Sequence, residues 1–206
     1  MNTNDIKYNG EIKSFKELFS MARDQFILYE KLEGIDNWDK YDFSIDCAED
    51  QLKFKDMIQI RFIEELTEAS ISIPEPDEHF WEEIGDSINF FLSAYIMLGV
   101  DLDSFESPEK NLNIFSNRRK PSTLWEFSTL AYPVIEKVGY LCNLLKNRQW
   151  AQSQFLVSLV DFDERLKELW ITFWEFLFNL GLNSDDVFEL FYCKYQINLH
   201  RISTGY

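Results

Sequence analysis

Turn-forming residues are scarce in this chain, with seven glycines and five prolines among 206 residues. An all-β fold needs many tight turns, which these two residues make most easily, so the shortage favours helices. Cysteine is scarce as well. Cys47, Cys142 and Cys193 are odd in number, far apart and without metal-ligand spacing, so reduced thiols in a cytosolic setting are expected rather than a disulfide framework. Positive charge is the third shortage: 20 Lys and Arg face 36 Asp and Glu, for a formal net charge of -16. Such a chain repels nucleic acid and anionic membranes. An anionic small substrate is acceptable only where cations neutralise the site. Long apolar runs are missing too. The longest uncharged one, INFFLSAYIMLGV (88–100), is short for a bilayer, and MNTNDIKYNGEIKSF lacks the apolar centre of a signal peptide. A cytoplasmic protein is expected, with neither membrane nor nucleic acid as partner.

What is present points to a packed interior. Hydrophobic residues make up 46% and aromatic residues 17% of the chain, which excludes a disordered protein. No linker, repeat or biased tract divides the sequence, so residues 1–206 are expected to form one domain.

Apolar periodicity predicts a helix over 14–32, with Phe15, Leu18, Phe19, Ala22, Phe26 and Tyr29 on one face. A connection over 34–44 follows. A second helix is expected over 47–71, with a core stripe of Phe54, Ile58, Phe62 and Leu66. The two prolines of ISIPEPDE break it. A third helix is expected from Asp77 to about Leu98. Residues 101–121 read as a polar connection. A fourth helix is expected over 122–146, with a kink possible at Pro133, and an aromatic fifth over 151–179. GLNSDD (181–186) supplies a stop, a cap and an acidic first turn for a last helix ending near His200 or Arg201. The expected class is all-α, with about six helices and no strand.

Residues 64–86, EELTEASISIPEPDEHFWEEIGD, contain nine acidic residues. Glu65 and Glu68 are three apart on one predicted helix, and Glu83 and Asp86 are three apart on the next. Residues at i and i+3 share a helix face. A short proline-containing turn would fold the two helices into an antiparallel hairpin and bring four carboxylates together. Bare carboxylates repel one another, whereas hard divalent cations, Mg²⁺ or alternatively Mn²⁺, reverse the sign. A solvated acidic face is the plain alternative, but the apolar residues interleaved with these acids argue for burial, which is costly without a partner. Glu75, Asp77 and Glu78 fit a solvated hairpin tip, and Glu64 and Glu82 fit either a supporting or a surface position. Near the C-terminal end, Lys194, Asn198 and Arg201 fall at i, i+4 and i+7 and so project from one helix face. Two cations with an amide between them suit a phosphate and nucleoside reader, although basic residues also complement a helix C-terminus.

EELTE (64–68) and EEIGD (82–86) match the ExxE…ExxD motif of the all-α nucleoside triphosphate pyrophosphatases, which include MazG-like enzymes, dimeric dUTPases and phage dCTPase-dUTPases. FELFYCKYQINLHRISTGY (188–206) resembles the closing helix of the dimeric dUTPases and of the phage enzymes. Tyr192, Lys194, Asn198, Arg201, Gly205 and Tyr206 stand there in the family's order. The resemblance covers both motif regions, and residues 103–180 match only in helical character. It implies a multi-helix bundle with a four-helix catalytic core and a homodimer. It further implies Mg²⁺-dependent hydrolysis of a deoxyribonucleoside triphosphate, dUTP and/or dCTP, to monophosphate and pyrophosphate. The ending is nearest to the phage enzymes, which implies nucleotide-pool control in a host cytoplasm.

On that resemblance Glu65, Glu68, Glu83 and Asp86 would hold metal, and Glu65 or Glu64 would orient or deprotonate water. Lys194 and Arg201 would stabilise phosphate charge, and Asn198 would contact the nucleoside. Gln25 is similar to a base-reading glutamine of the family. Asn89 stands where relatives often carry His, Tyr195 where Asn is usual and Ile202 where Gln is frequent. These departures weaken the assignment to dUTP and keep dGTP, dATP or a modified nucleotide as alternatives. A binding protein without turnover is a further alternative, as is a di-iron helical protein, although neither acidic pair contains the His that such sites use. NRRK (117–120) reads either as a phosphate-approaching or as a solvated basic loop. Residues 103–180 read as a lid, a dimer interface or both. His79 and His200 have no ligand partners, and Leu166, Trp170, Phe173, Trp174 and Leu177 form a core or interface stripe.

Overall fold

The computed structural model describes residues 6–32, 34, 43–110, 112, 115–145 and 158–205. Among them the protein is all-helical, as its composition and periodicity predict, with no β-strand. The elements are α1 (Phe15–Leu32), α2 (Ala48–Lys55), a π-helical segment (Asp56–Arg61), α3 (Phe62–Ile71), α4 (Asp77–Met97), α5 (Leu124–Leu144), α6 (Leu159–Asn179) and α7 (Ser184–Thr204). Most of the expected connection over 34–44 lies outside the described residues. So do Lys146 and residues 151–157, where the fourth helix was expected to end and the fifth to begin. The connection over 101–121 contains two 3₁₀ turns, Leu102–Ser104 and Pro108–Lys110.

α4 is the central spine. The apolar run that is too short for a membrane instead buries every residue from Phe91 to Met97, and no described helix is long and apolar enough to cross a bilayer. The run's Phe, Leu, Ile and Met side chains each contribute roughly 1.5–3 kcal/mol when fully buried. α4 packs against α1, α3 and α7, and its Phe91 ring lies 4.1 Å from Phe173 and stacks on Trp170 at 5.8 Å, both of α6. The stripe Leu166, Trp170, Phe173, Trp174, Leu177 is therefore core. The Trp170 indole N–H donates to the Glu106 carbonyl at 2.9 Å. Buried hydroxyls on α4 are all satisfied: Ser87 donates to the Ile84 carbonyl (2.8 Å), Ser93 to that of Asn89 (2.9 Å), and Tyr95 to that of Leu166 on α6 (2.7 Å).

The expected helix over 47–71 exists as one helical path but changes its winding between Asp56 and Arg61. Phe54, Ile58, Phe62 and Leu66 are all buried, and each lies four residues after the last. An α-helix turns about 100° per residue, so each step of four overshoots a full turn by about 40°. Over three steps the stripe would rotate far out of the core. A π segment, with its wider i→i+5 turn, absorbs that drift and holds all four side chains inward.

α5 runs through Pro133, which lies on its exposed side, and Thr123 caps it by accepting from the Glu126 N–H at 3.1 Å. Trp125, Tyr132 and Ile135 are exposed along its outer face. The turn between α6 and α7 is tightly specified. Asn183 and Asp186 form a reciprocal capping box, with bonds of 2.8 and 2.9 Å. Residues 117–119 are strapped across that turn. The Asn117 N–H donates to the Gly181 carbonyl at 2.9 Å, and the Arg119 N–H to that of Leu180 at 3.0 Å. Gly181 has φ +80°, and a Cβ there would stand 2.0 Å from the Asn117 carbonyl oxygen. Position 181 therefore excludes a side chain twice over, by conformation and by space. Gly181→Ala is expected to lower stability by about 2 kcal/mol or more in urea denaturation. A loss under about 0.5 kcal/mol, the range of neutral surface changes, would show that the strap yields freely.

Candidate functional site

α3 and α4 pack closely against each other, joined by a short turn that Ser72 closes by donating from its hydroxyl to the Glu68 carbonyl at 2.9 Å. This hairpin brings Glu65, Glu83 and Asp86 together, and each offers a carboxylate oxygen within 4.8 Å of the other two. All three are partly buried. Glu68 is exposed and stands outside this tight group, although its charge still reaches Glu65 and Glu83. Glu64 faces solvent. Glu82 is half-buried beside His79, at 3.8 Å.

All three acids are raised above the usual carboxylate range, chiefly by burial. Burial, followed by the charges of Asp86, Glu83 and Glu68, pushes the Glu65 carboxyl up to about 8. Burial and then Asp86 and Glu68 raise Glu83. Burial also raises Asp86, against the opposing pull of Lys194 and Arg201. Like charges forced together in a partly dry site cannot all ionise cheaply, and a divalent cation would relieve that conflict. The residues present thus fit a hard metal ion in donor type and in charge.

The opposite wall comes from α7. Gly85 lies between Glu83 and Asp86, and a Cβ on it would meet the Leu190 carbonyl oxygen at 3.3 Å. The absent side chain lets α7 approach α4 closely. One turn beyond Leu190, the Lys194 ammonium reaches the Asp86 carboxylate in an ion pair. Further along the same face, Asn198 (buried) and Arg201 line a cavity of about 1150 Å³ that Glu65 and Asp86 also line. The i, i+4, i+7 face predicted for this helix therefore opens onto the acid cluster. Gly205 caps the helix, and Tyr206 lies outside the described residues. Tyr192 packs against Tyr8 rather than lining the cavity.

Two amides close the inner end. Asn89 lines the cavity, and the Gln25 amide, on α1, donates to the Asn89 side-chain oxygen at 2.8 Å. The Gln25 side-chain oxygen is buried and has no hydrogen-bond partner among the described residues. Phe26, Tyr29 and Phe90 supply apolar surface beside these amides. A cluster of carboxylates, a facing cationic helix and an amide-and-aromatic end is an arrangement suited to a metal-bound phosphate carrying a planar polar group.

The outer wall could not be read from the sequence. Met57, Gln59, Ile60 and Arg61, all of the π-helical segment, line the cavity, and the Arg61 guanidinium bonds Asp56 at 2.9 Å across the widened turn. The unbroken four-residue spacing of Phe54, Ile58, Phe62 and Leu66 was the available signal. His79 and His200 are exposed and take no part in the cluster. Comparison of the chain with family models, curated proteins and solved structures found no match.

A raised acid binds more protons in the folded than in the unfolded state, so its contribution to stability is present below about pH 4.5 and lost as pH rises through about 8. In metal-free protein, Glu65→Gln is expected to reduce the fall in melting temperature between pH 5.5 and pH 8.5. At the higher pH it should melt about 2–4 °C above wild type, a figure that allows for solvent screening. Thermal melts in chelator test this, and parallel pH profiles for the two proteins would refute the crowding of charge at Glu65.

Proposed function

We propose that the protein is a metal-dependent deoxyribonucleoside triphosphate pyrophosphatase of the all-α type, acting on dUTP and/or dCTP and releasing monophosphate and pyrophosphate. The observation that carries this reading is the cluster of Glu65, Glu83 and Asp86, with Lys194 paired to Asp86, beside a cavity that Glu65 and Asp86 share with Asn198 and Arg201. Mg²⁺, or alternatively Mn²⁺, would be held by those three carboxylates, with Glu68 closing in from the rim. It would supply charge neutralisation and lower the pKa of water.

The chain's own groups divide the remaining work. Glu65 is better sited than solvent-facing Glu64 to orient the attacking water and accept its proton. Lys194 and Arg201 compensate charge on the phosphate chain, the more effectively because the site is partly dry. Lys194 is held in advance by Asp86, so it is already positioned where a phosphate oxygen would arrive. Asn198, buried on the same face, binds the nucleoside. Asn89 and Gln25 read the base. A primary amide carries both a donor and an acceptor, so this pair suits either uracil or cytosine by rotating its ends. The exposed face of α5, with Trp125, Tyr132 and Ile135, supports pairing of two chains into a homodimer.

Purified protein with Mg²⁺ is expected to release pyrophosphate from dUTP or dCTP faster than from the purine nucleotides. Glu83→Gln should abolish turnover. Lys194→Ala and Arg201→Ala should each lower kcat by about 10²–10³-fold, as for loss of a charge-stabilising donor. Inactivity of the wild type across all dNTPs, with metal binding demonstrated, would sink the catalytic reading and leave a nucleotide-binding protein.

A further inference from the structure

A second cavity, of about 710 Å³, is linked to the acid cluster through Lys194. Arg118, Arg119, Lys120 and Lys194 line it, four of the 20 cations in a chain of net charge -16. The ammonium of Lys194 meets Asp86, and Asp86 lines the first cavity, so this one ion pair stands between the two spaces.

The loop that brings the arginines is fixed rather than merely solvated. Its backbone is bonded to the α6–α7 turn through Asn117 and Arg119, over a glycine that admits no side chain. Its Lys120 is mostly buried and ties it to the tip of the α3–α4 hairpin, bonding the Glu75 carbonyl at 2.6 Å and Asp77 at 2.8 Å. Arg118 lies over the Trp81 ring at 5.5 Å, on the helix that carries Glu83 and Asp86. Two anchors therefore fix the loop, and the Trp81 ring holds the Arg118 guanidinium against the helix that carries Glu83 and Asp86.

These cations have carboxylate partners: Arg118 pairs with Glu189 at 3.2 Å, and Arg119 pairs with Glu126. Glu78 and Glu82 also line the cavity. Glu189 is 44% exposed and Arg119 is 71% exposed. Solvent-exposed pairs of this kind contribute little, whereas guanidinium groups bind phosphate oxygens through two parallel bonds. A multiply charged polyphosphate can therefore displace the glutamates.

We infer that Arg118, Arg119 and Lys194 form a subsite for the two terminal phosphates, the pair that leaves as pyrophosphate. This rests on the proposed pyrophosphatase reading for its place in the reaction, but not for its ligand chemistry. The nucleoside then occupies the larger cavity, and the phosphate chain passes the Asp86–Lys194 pair into the smaller one.

Titration calorimetry on the full chain, with magnesium pyrophosphate and separately with dUMP and dCMP, tests the subsite. Arg118→Ala with Arg119→Ala is expected to weaken pyrophosphate on the order of tenfold or more, with monophosphate binding changed less than about twofold. Arg165→Ala with Lys167→Ala makes the same change in net charge at a distant part of the surface and should alter neither. If melting shows that the alanine pair is unfolded, Arg118→Lys with Arg119→Lys serves instead, with a several-fold loss expected because bidentate contacts are removed. Absence of pyrophosphate binding by the wild type, an unchanged affinity in the loop variant, or a loss matched by the distant pair would overturn the inference. Should pyrophosphate binding depend on the loop while no dNTP is hydrolysed, the subsite stands and the catalytic reading alone falls.

Discussion

The Asp86–Lys194 ion pair is the contact on which the rest of the site depends. It forms because Gly85 lets α7 lie close against α4, and it sets a cation against one of three crowded carboxylates. Without that approach the acids would face solvent, and the cationic face of α7 would have nothing to face. Burial still raises Asp86 despite the lysine, so the site remains short of positive charge. A divalent cation would relieve that deficit.

Much of the fold was legible in the sequence because helices announce themselves by period. The capping box of Asn183 and Asp186, the proline break after Ile71 and the aromatic stripe of α6 all stand where spacing and residue type predict them. The acids were legible for the same reason, since a separation of three residues fixes a shared face. Glu68 shows where that rule stops. It shares a face with Glu65, yet the hairpin's packing leaves it at the exposed rim.

Other features depend on contacts that no local pattern encodes. Gln25 and Asn89 are 64 residues apart and meet only because α1 packs against α4. Residues 117–120 carry no periodicity, so a free basic loop and a strapped one look alike in sequence. Their fixed position depends on Gly181 and on the hairpin tip, both distant along the chain. The larger cavity likewise draws its walls from α1, α2, α3, α4 and α7, and the smaller one from α4, α7 and the loop over 118–122. Residue types suggest the chemistry of a site, but tertiary packing decides which side of an ion pair each group occupies.

The π-helical segment has a consequence for how the chain tolerates insertion and deletion. It is a place where one helical path holds an extra residue's worth of slack. Removing a single residue between Asp56 and Arg61 would return the path to plain α winding and leave α3, with Glu65 and Glu68, in its present register. α2 would keep its place as well, with Leu52 and Lys53 on the cavity wall and Phe54 in the core, because the slack of the wider turn takes up the missing residue. The acid cluster and the helix before it are thus joined by a register joint, at which the loss of one residue would leave both sides in place.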